Sequence, residues 1–197
     1  MATSRRRQVQ NRGRLRIIGG RWKRHTLKFA GGTDLRPTPD AVRETLFNWL
    51  APVIEGSSCL DLFSGSGALG FEAASRGASR VDLVDHNRSV YRQLVHTREA
   101  LSATQVHIHC EDAQAFLATA EGHFNIVFLD PPFRSELVVR IITALEHSGV
   151  LKAQCLVYVE TSRKDSEPNL SDNWRLNKEK KTGNVAYRLY ELGKTNA

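Results

Sequence analysis

No apolar run in the chain comes near the ~20 consecutive residues that a membrane-spanning helix needs, and no apolar segment follows the arginines near the N-terminus. Secretion and membrane insertion are therefore disfavoured, and a cytoplasmic location is expected. Cysteine is scarce. Cys59, Cys110 and Cys155 are odd in number and far apart, with neither Cys-x-x-Cys spacing nor a nearby His pair of zinc-site form. They are expected to be reduced core thiols, and no metal is expected. The most informative absence is of one charge sign: the first 30 residues hold no Asp or Glu, against Arg5, Arg6, Arg7, Arg12, Arg14, Arg16, Arg21, Lys23, Arg24 and Lys28. The rest of the chain has 18 basic and 21 acidic residues, so this segment alone makes the net charge +7. A basic arm on a mildly acidic body is the footprint of a phosphate-backbone grip, because each neutralised phosphate releases counterions. Arg5 to Arg7, Arg12, Arg14, Arg16, Arg21, Lys23 and Arg24 are the candidate nucleic-acid contacts, and a solvated tail is the alternative.

What is present fits one globular domain. The chain has 197 residues, 41% hydrophobic and 25% charged, enough to bury a full core. Residues 1–13 read as a mobile basic arm, 14–50 as a small hairpin and a helix, and 51–197 as the core. Short apolar pieces around Gly19-Gly20 predict the hairpin between Leu15 and Phe29. Val42, Leu46, Trp49 and Leu50 give helical spacing over 41–50, started by Pro39 and Asp40. From Cys59 onward, strands near 59–63, 80–84, 106–109, 125–130 and 154–160 alternate with helices near 68–76, 89–101, 113–120 and 135–148. That alternation predicts an α/β fold with a mostly parallel, Rossmann-like sheet. Runs over 174–181 and 185–192, joined by Thr182-Gly183-Asn184, add an antiparallel C-terminal hairpin.

Three features point to chemistry. Asp61-Leu62-Phe63-Ser64-Gly65-Ser66-Gly67-Ala68-Leu69-Gly70 embeds G-x-G-x-x-G where the first of these strands turns into a helix. Gly65 permits the tight turn, Gly67 lets a ligand approach the backbone, and Gly70 lets helix and strand pack closely. Asp85, 20 residues after Gly65, ends the next strand, where a carboxylate can accept from both hydroxyls of a ribose. This pair fits either a dinucleotide or S-adenosylmethionine. Asp130-Pro131-Pro132-Phe133 then follows the apolar strand Ile126-Val127-Phe128-Leu129, beside the glycine loop at the carboxyl edge of the sheet. The Asp130 carboxylate and the Pro131 carbonyl can accept from an exocyclic amine, while Phe133 offers a face on which a base can stack. A nicotinamide-dependent oxidoreductase would leave this tetrapeptide without a job.

These residues resemble a class I S-adenosylmethionine-dependent methyltransferase that acts on amines. Arg16-Ile17-Ile18-Gly19-Gly20, Leu35-Arg36-Pro37-Thr38, Val42 to Leu50, the glycine loop, the Asp130 tetrapeptide and Val185-Ala186-Tyr187-Arg188-Leu189-Tyr190 are similar to the RsmD family. The resemblance runs from about residue 14 to residue 191. It implies methylation of the N2 amine of one guanine of 16S ribosomal RNA, within an assembling 30S particle, by a monomer using S-adenosyl-L-methionine. It further implies that Asp61, Ser64, Gly65, Ser66, Gly67 and Gly70 lie along the methionine part of the cofactor, Asp85 at the ribose, and Asp112 with Ala113 at the adenine. His86 joins the adenine or is a half-exposed loop histidine. Arg36 and Thr38 are expected to close over the cofactor, and Asp130, Pro131, Pro132 and Phe133 to hold the base. The tetrapeptide alone leaves an adenine-N6 methyltransferase acting on DNA or RNA open, and an RNA-binding assembly factor without turnover is a further reading. His107 and His109 share a strand face, but no suitably spaced carboxylate is evident, so a metal there is not expected. Trp22, Trp49 and Trp174 read as packing residues.

Overall fold

The structure is a computed structural model that describes residues 12–30, 38–131, 135–164 and 170–193. Residues 1–11, with Arg5, Arg6 and Arg7, lie outside the described residues, as do Arg36, Pro132 and Phe133. Strands β1 (Arg12–Arg16) and β2 (Thr26–Ala30) pair antiparallel as a separate small sheet. Helix α1 (Asp40–Leu50) follows. The body is β3 (Ser58–Asp61), α2 (Ala68–Ser75), β4 (Arg80–Val84), α3 (Arg88–Leu101), β5 (Val106–His109), α4 (Ala113–Thr119), β6 (Phe124–Leu129), α5 (Ser135–His147), β7 (Leu151–Ser162), β8 (Trp174–Thr182) and β9 (Val185–Leu192).

The seven strands from β3 onward form one sheet in the order β5-β4-β3-β6-β7-β9-β8. All neighbours from β5 to β7 are parallel, and β9 runs antiparallel to both β7 and β8. The expected mostly parallel α/β sheet with an antiparallel C-terminal hairpin is therefore the fold. Strand order reverses between β3 and β6, so the crevice beyond their carboxyl ends is the switch point where such sheets bind ligands. Residues of the central strands alternate between two cores. Cys59, Ile126, Phe128 and Tyr158 meet α1, α2 and the N-terminal segment, while Leu60, Val127, Leu129 and Val159 meet α4 and α5. Burial on both faces explains why β6 reads as an unbroken apolar run.

The N-terminal segment is bolted to α2 rather than draped over it. Glu72, fully buried, accepts from the backbone N–H groups of Ile18 and Gly19, each at 2.8 Å. Ser75 accepts at its hydroxyl from Trp22 N and donates to the Gly19 carbonyl, and its own carbonyl accepts from Arg21 N. Gly20 has φ +74°, and a Cβ there would come within 1.8 Å of the Ser75 carbonyl oxygen, so only glycine fits. The hairpin is consequently wider than the Gly19-Gly20 pair implies. Residues 17–25 form a docking turn, because the glycines serve the contact with α2 rather than a two-residue reversal.

Three other expectations change. Strand β7 starts at Leu151, not near Gln154: Gln154 has φ +61° and the β6–β7 register shifts between Phe124 and Ile126, which hides the strand's beginning from its alternation. Cys110 is exposed just past β5, so only Cys59 and Cys155 are core thiols. A carboxylate does stand beside His109, since β4–β5 pairing brings Asp82 within 2.8 Å of its Nε2; Asp82 is also held by Arg80 at 2.6 Å, and the arrangement is an ion-pair cluster. Among the described residues, no helix is long and apolar enough to cross a membrane.

Candidate active site

The glycine loop leaves β3 at Asp61 and enters α2 at Ala68. Gly65 and Gly67 take φ +48° and +77°, the left-handed region that glycine occupies cheaply. Ser64 N donates to the Val84 carbonyl at 3.0 Å and Gly67 N to the Ser64 carbonyl at 2.6 Å, which folds the loop against the end of β4. A Cβ on Gly70 would meet Leu83 at 2.1 Å, as the close helix–strand packing requires. At Gly67 it would meet Phe71 and Leu94, so that glycine answers to its φ and to packing as well as to any ligand.

Asp85 is tied to this loop. Its Oδ2 accepts from Gly65 N at 3.0 Å and its Oδ1 from Asn87 N at 2.8 Å, which fixes the half-buried carboxylate while leaving each oxygen a further lone pair. Asp112 caps α4 through Gln114 N and Ala115 N, with Ala113 buried behind it. His86 is exposed, and Ser64 and Ser66 are buried in the loop.

Across the switch point, β6 delivers Asp130 beside the glycine loop, with Pro131 buried after it. The Thr38 hydroxyl donates to Asp130 Oδ2 at 3.1 Å. Thr38 is thus joined to the carboxylate of the tetrapeptide, a partner 92 residues away that no local pattern reveals. Its carbonyl accepts from Arg43 Nε at 3.3 Å, and the buried Arg43 guanidinium also reaches the Arg16 carbonyl, Asp40 and Glu72. One polar chain therefore runs from the N-terminal segment to Asp130.

Two buried acids, Asp61 and Glu160, lie near the half-buried Asp130. Burial pushes Asp61 up to about 7, with the charges of Asp130 and Asp85 adding to it and the N–H groups of Gly70 and Phe63 pulling against it. Glu160, on β7, accepts from the Tyr158 hydroxyl at 2.8 Å, and burial together with Asp130 raises it to about 8. Asp130 rises by burial to about 6, and the Thr38 hydrogen bond opposes the rise. Burial raises all three acids, and the charge of Asp130 adds to the rise of both Asp61 and Glu160. Glu160 is missing from the sequence reading; a lone Glu in the apolar run Val157-Tyr158-Val159 was its available signal.

Of the candidate nucleic-acid contacts, Arg14, Arg16, Arg21, Lys23 and Arg24 are exposed on the hairpin and its turn, and Arg12 opens β1. Arg21 lies 5.8 Å over the Trp22 ring. Trp49 packs against Tyr187 and Trp174 against Tyr190.

The family model described as Conserved hypothetical protein 95 matches residues 15–191. A protein of Escherichia coli K12 named ribosomal RNA small subunit methyltransferase D is 47% identical over 179 residues, 91% of this chain and 90% of that one. A Haemophilus influenzae protein of the same name is 44% identical over 184 residues, 91% of this chain and 95% of its own. The solved structure of a putative methyltransferase, yhhF, from Escherichia coli has a TM-score of 0.86 at 44% identity, covering 93% of this chain and all of the other. A match spanning the hairpin, the glycine loop, Asp130 and β9 together means that the chain belongs to the RsmD methyltransferase family.

Proposed function

We propose that this protein transfers a methyl group from S-adenosyl-L-methionine to the exocyclic N2 amine of a guanine in small-subunit ribosomal RNA, acting as a monomer on an assembling 30S particle. The RNA class is the one named for relatives 47% and 44% identical over nine-tenths of the chain. The observation that carries the amine reading is Asp130: a carboxyl group at the switch point, oriented by Thr38 and facing the glycine loop that holds Asp85. Residues 1–13 serve in this reading as a basic arm, 14–50 as the hairpin and helix that position it, and 51–197 as the catalytic core.

The residues fit the cofactor. Asp85 has both oxygens aligned by backbone N–H groups, with lone pairs left for two ribose hydroxyls. Gly65, Ser66, Gly67 and Gly70, with Asp61 and Ser64 behind them, line the methionine part, and Asp112 and Ala113 stand at the next strand end for the adenine, near His86. Arg36 is assigned to the same side. Bound there, S-adenosylmethionine supplies an electrophilic methyl group on a sulfonium.

The chain's own work is positioning. An aromatic amine is a weak nucleophile because its lone pair is conjugated with the ring. Asp130 and the Pro131 carbonyl accept hydrogen bonds from its two N–H groups, turn the lone pair out of conjugation and stabilise the positive charge that develops on nitrogen, and the one proton that the methylated nitrogen then loses passes to Asp130. Pro132 and Phe133 are assigned to the same base-holding role, Phe133 as a face on which the base stacks. Thr38 holds Asp130 Oδ2, which leaves Oδ1 for the amine. The base must leave a helix or come from a loop to reach this point, and the exposed hairpin cations hold its flanking phosphates.

Transfer of labelled methyl to unmodified small subunits, naked RNA and DNA, followed by nuclease mapping, tests the reading. Label recovered as N2-methylguanine at one site is expected, and Asp130→Ala is expected to remove it while sparing cofactor binding. Label on adenine would overturn the guanine assignment in favour of the N6 alternative, and near-normal turnover by Asp130→Ala would sink the mechanism.

A further inference from the structure

We infer that the outer edge of the sheet, Lys178 and Lys180 on β8, is a second phosphate-binding strip for the RNA, on the opposite side of α1 from the basic hairpin. This rests on the RNA reading above. Cross-strand partners share a sheet face. Lys178 pairs with Leu189 and Lys180 with Tyr187, both of which pack in the core beneath α1, so the two lysines project on the α1 face. Lys180 Nζ lies 3.5 Å from Thr45 Oγ1 of α1 in agreement. Both lysines are exposed, whereas Lys181, paired with Ala186, projects on the opposite face.

Their charge is largely unspent. Glu179, the acid among them, is engaged by Arg188 at 2.9 Å and shared with Lys181 at 3.5 Å. Among the described residues, Lys178 has no acid within ion-pair distance and Lys180 has only a hydroxyl partner. The strip thus offers cations to an outside anion.

Register gives its distance from the chemistry. Asp130 follows Leu129, which pairs with Val159; the next β7 residue, Glu160, pairs with Tyr187, which pairs with Lys180. Lys180 is therefore level with Asp130 and three strand spacings away, about 14 Å across the sheet. The hairpin cations sit on the other flank, since their turn is bound to α2 by Glu72 and Ser75. A strand whose base enters at Asp130 has phosphates on both sides of that base. The two basic surfaces, one on each side of α1, match that requirement, which a single patch on one flank would not.

Lysines on an exposed edge strand also discourage strand addition by a second chain. The two roles separate in one experiment on the full chain. Binding of single-stranded RNA and of unmodified small subunits is measured against salt for the wild type, for Lys178→Ala/Lys180→Ala and for Lys178→Arg/Lys180→Arg. Cofactor affinity and sedimentation serve as controls. The alanine variant is expected to flatten the log K against log salt slope by about 1.4, at about 0.7 per phosphate contact on single strands, and to raise KM for the particle while kcat holds. The arginine variant is expected to restore both. An alanine variant with an unchanged slope and KM would overturn the strip, whether or not it self-associates. A wild type without salt-dependent RNA affinity would overturn the RNA reading itself.

Discussion

Among the described residues, Glu72 joins more backbone and side-chain partners than the other buried acids, and its removal has a calculable cost. Both of its oxygens are used: Ile18 N and Gly19 N at 2.8 Å, Arg76 Nε at 2.7 Å and Arg43 at 3.5 Å. Arg43 and Glu72 side chains are both wholly buried, whereas the other carboxylate on Arg43, Asp40, is 60% exposed. Glu72→Ala leaves a buried guanidinium short of its counter-charge, a loss of about 3–5 kcal/mol. Two orphaned backbone N–H groups add about 1–3 kcal/mol each while the docked turn stays closed to water. Release of the turn lets water reach them, so the total settles near 3–5 kcal/mol and the hairpin detaches. At about 2–4 °C per kcal/mol for a chain of this size, Tm falls by about 6 to 20 °C. Urea unfolding followed by circular dichroism measures the loss, and limited proteolysis within 17–25 reports the detachment. The double variant Arg43→Met/Glu72→Met is expected to lose less than the sum of the single variants, because no uncompensated charge remains. A Glu72→Ala loss below about 1 kcal/mol, with the turn still protected, would refute the account.

Two other outcomes follow from the acids at the switch point. The Thr38 hydroxyl lowers the pKa of Asp130, so Thr38→Val is expected to raise it and move the acid limb of the kcat–pH profile upward, with Thr38→Ser restoring the original limb; an unmoved profile would remove Thr38 from the mechanism. Asp61 titrates near 7 in the folded protein against 3.8 for the free group, so between those values the folded chain binds the extra proton. Its contribution to stability is complete below about 4 and is lost as pH rises through 7, with a slope of at most about 1.4 kcal/mol per pH unit. Asp61→Asn is expected to flatten the decline of urea stability from pH 5 to pH 8, and a slope equal to that of the wild type would contradict the assignment.

The sequence is most legible where a single period decides the structure. Strands β4, β5 and β9 lie at their expected bounds because each is a short apolar or alternating run between turn signals. The glycine loop and Asp130 meet because both follow parallel strands flanking the point where strand order reverses. What escaped was set by long-range packing. Helix α2 is buried all round, so it shows no polar face on which Glu72 could be recognised as the anchor of the N-terminal segment. Thr38 looked like part of a loop over the cofactor, and its bond to Asp130 depends on where α1 docks. Glu160 and Asp82 sit inside strands, where an acid reads as an interruption until its partners, Tyr158 in one case and Arg80 with His109 in the other, are known.

The shift in the β6–β7 ladder decouples the two ends of that strand pair. Phe124 and Ile126, two residues apart, face Leu151 and Leu156, five residues apart, and the surplus chain is taken up around Gln154 before regular pairing resumes. From Ile126 to Leu129 the pairing is regular, one residue against one. Length changes at 152–154 are therefore absorbed locally, and the alignment that puts Asp130 level with Glu160 is insulated from whatever happens at the amino-terminal end of the strands.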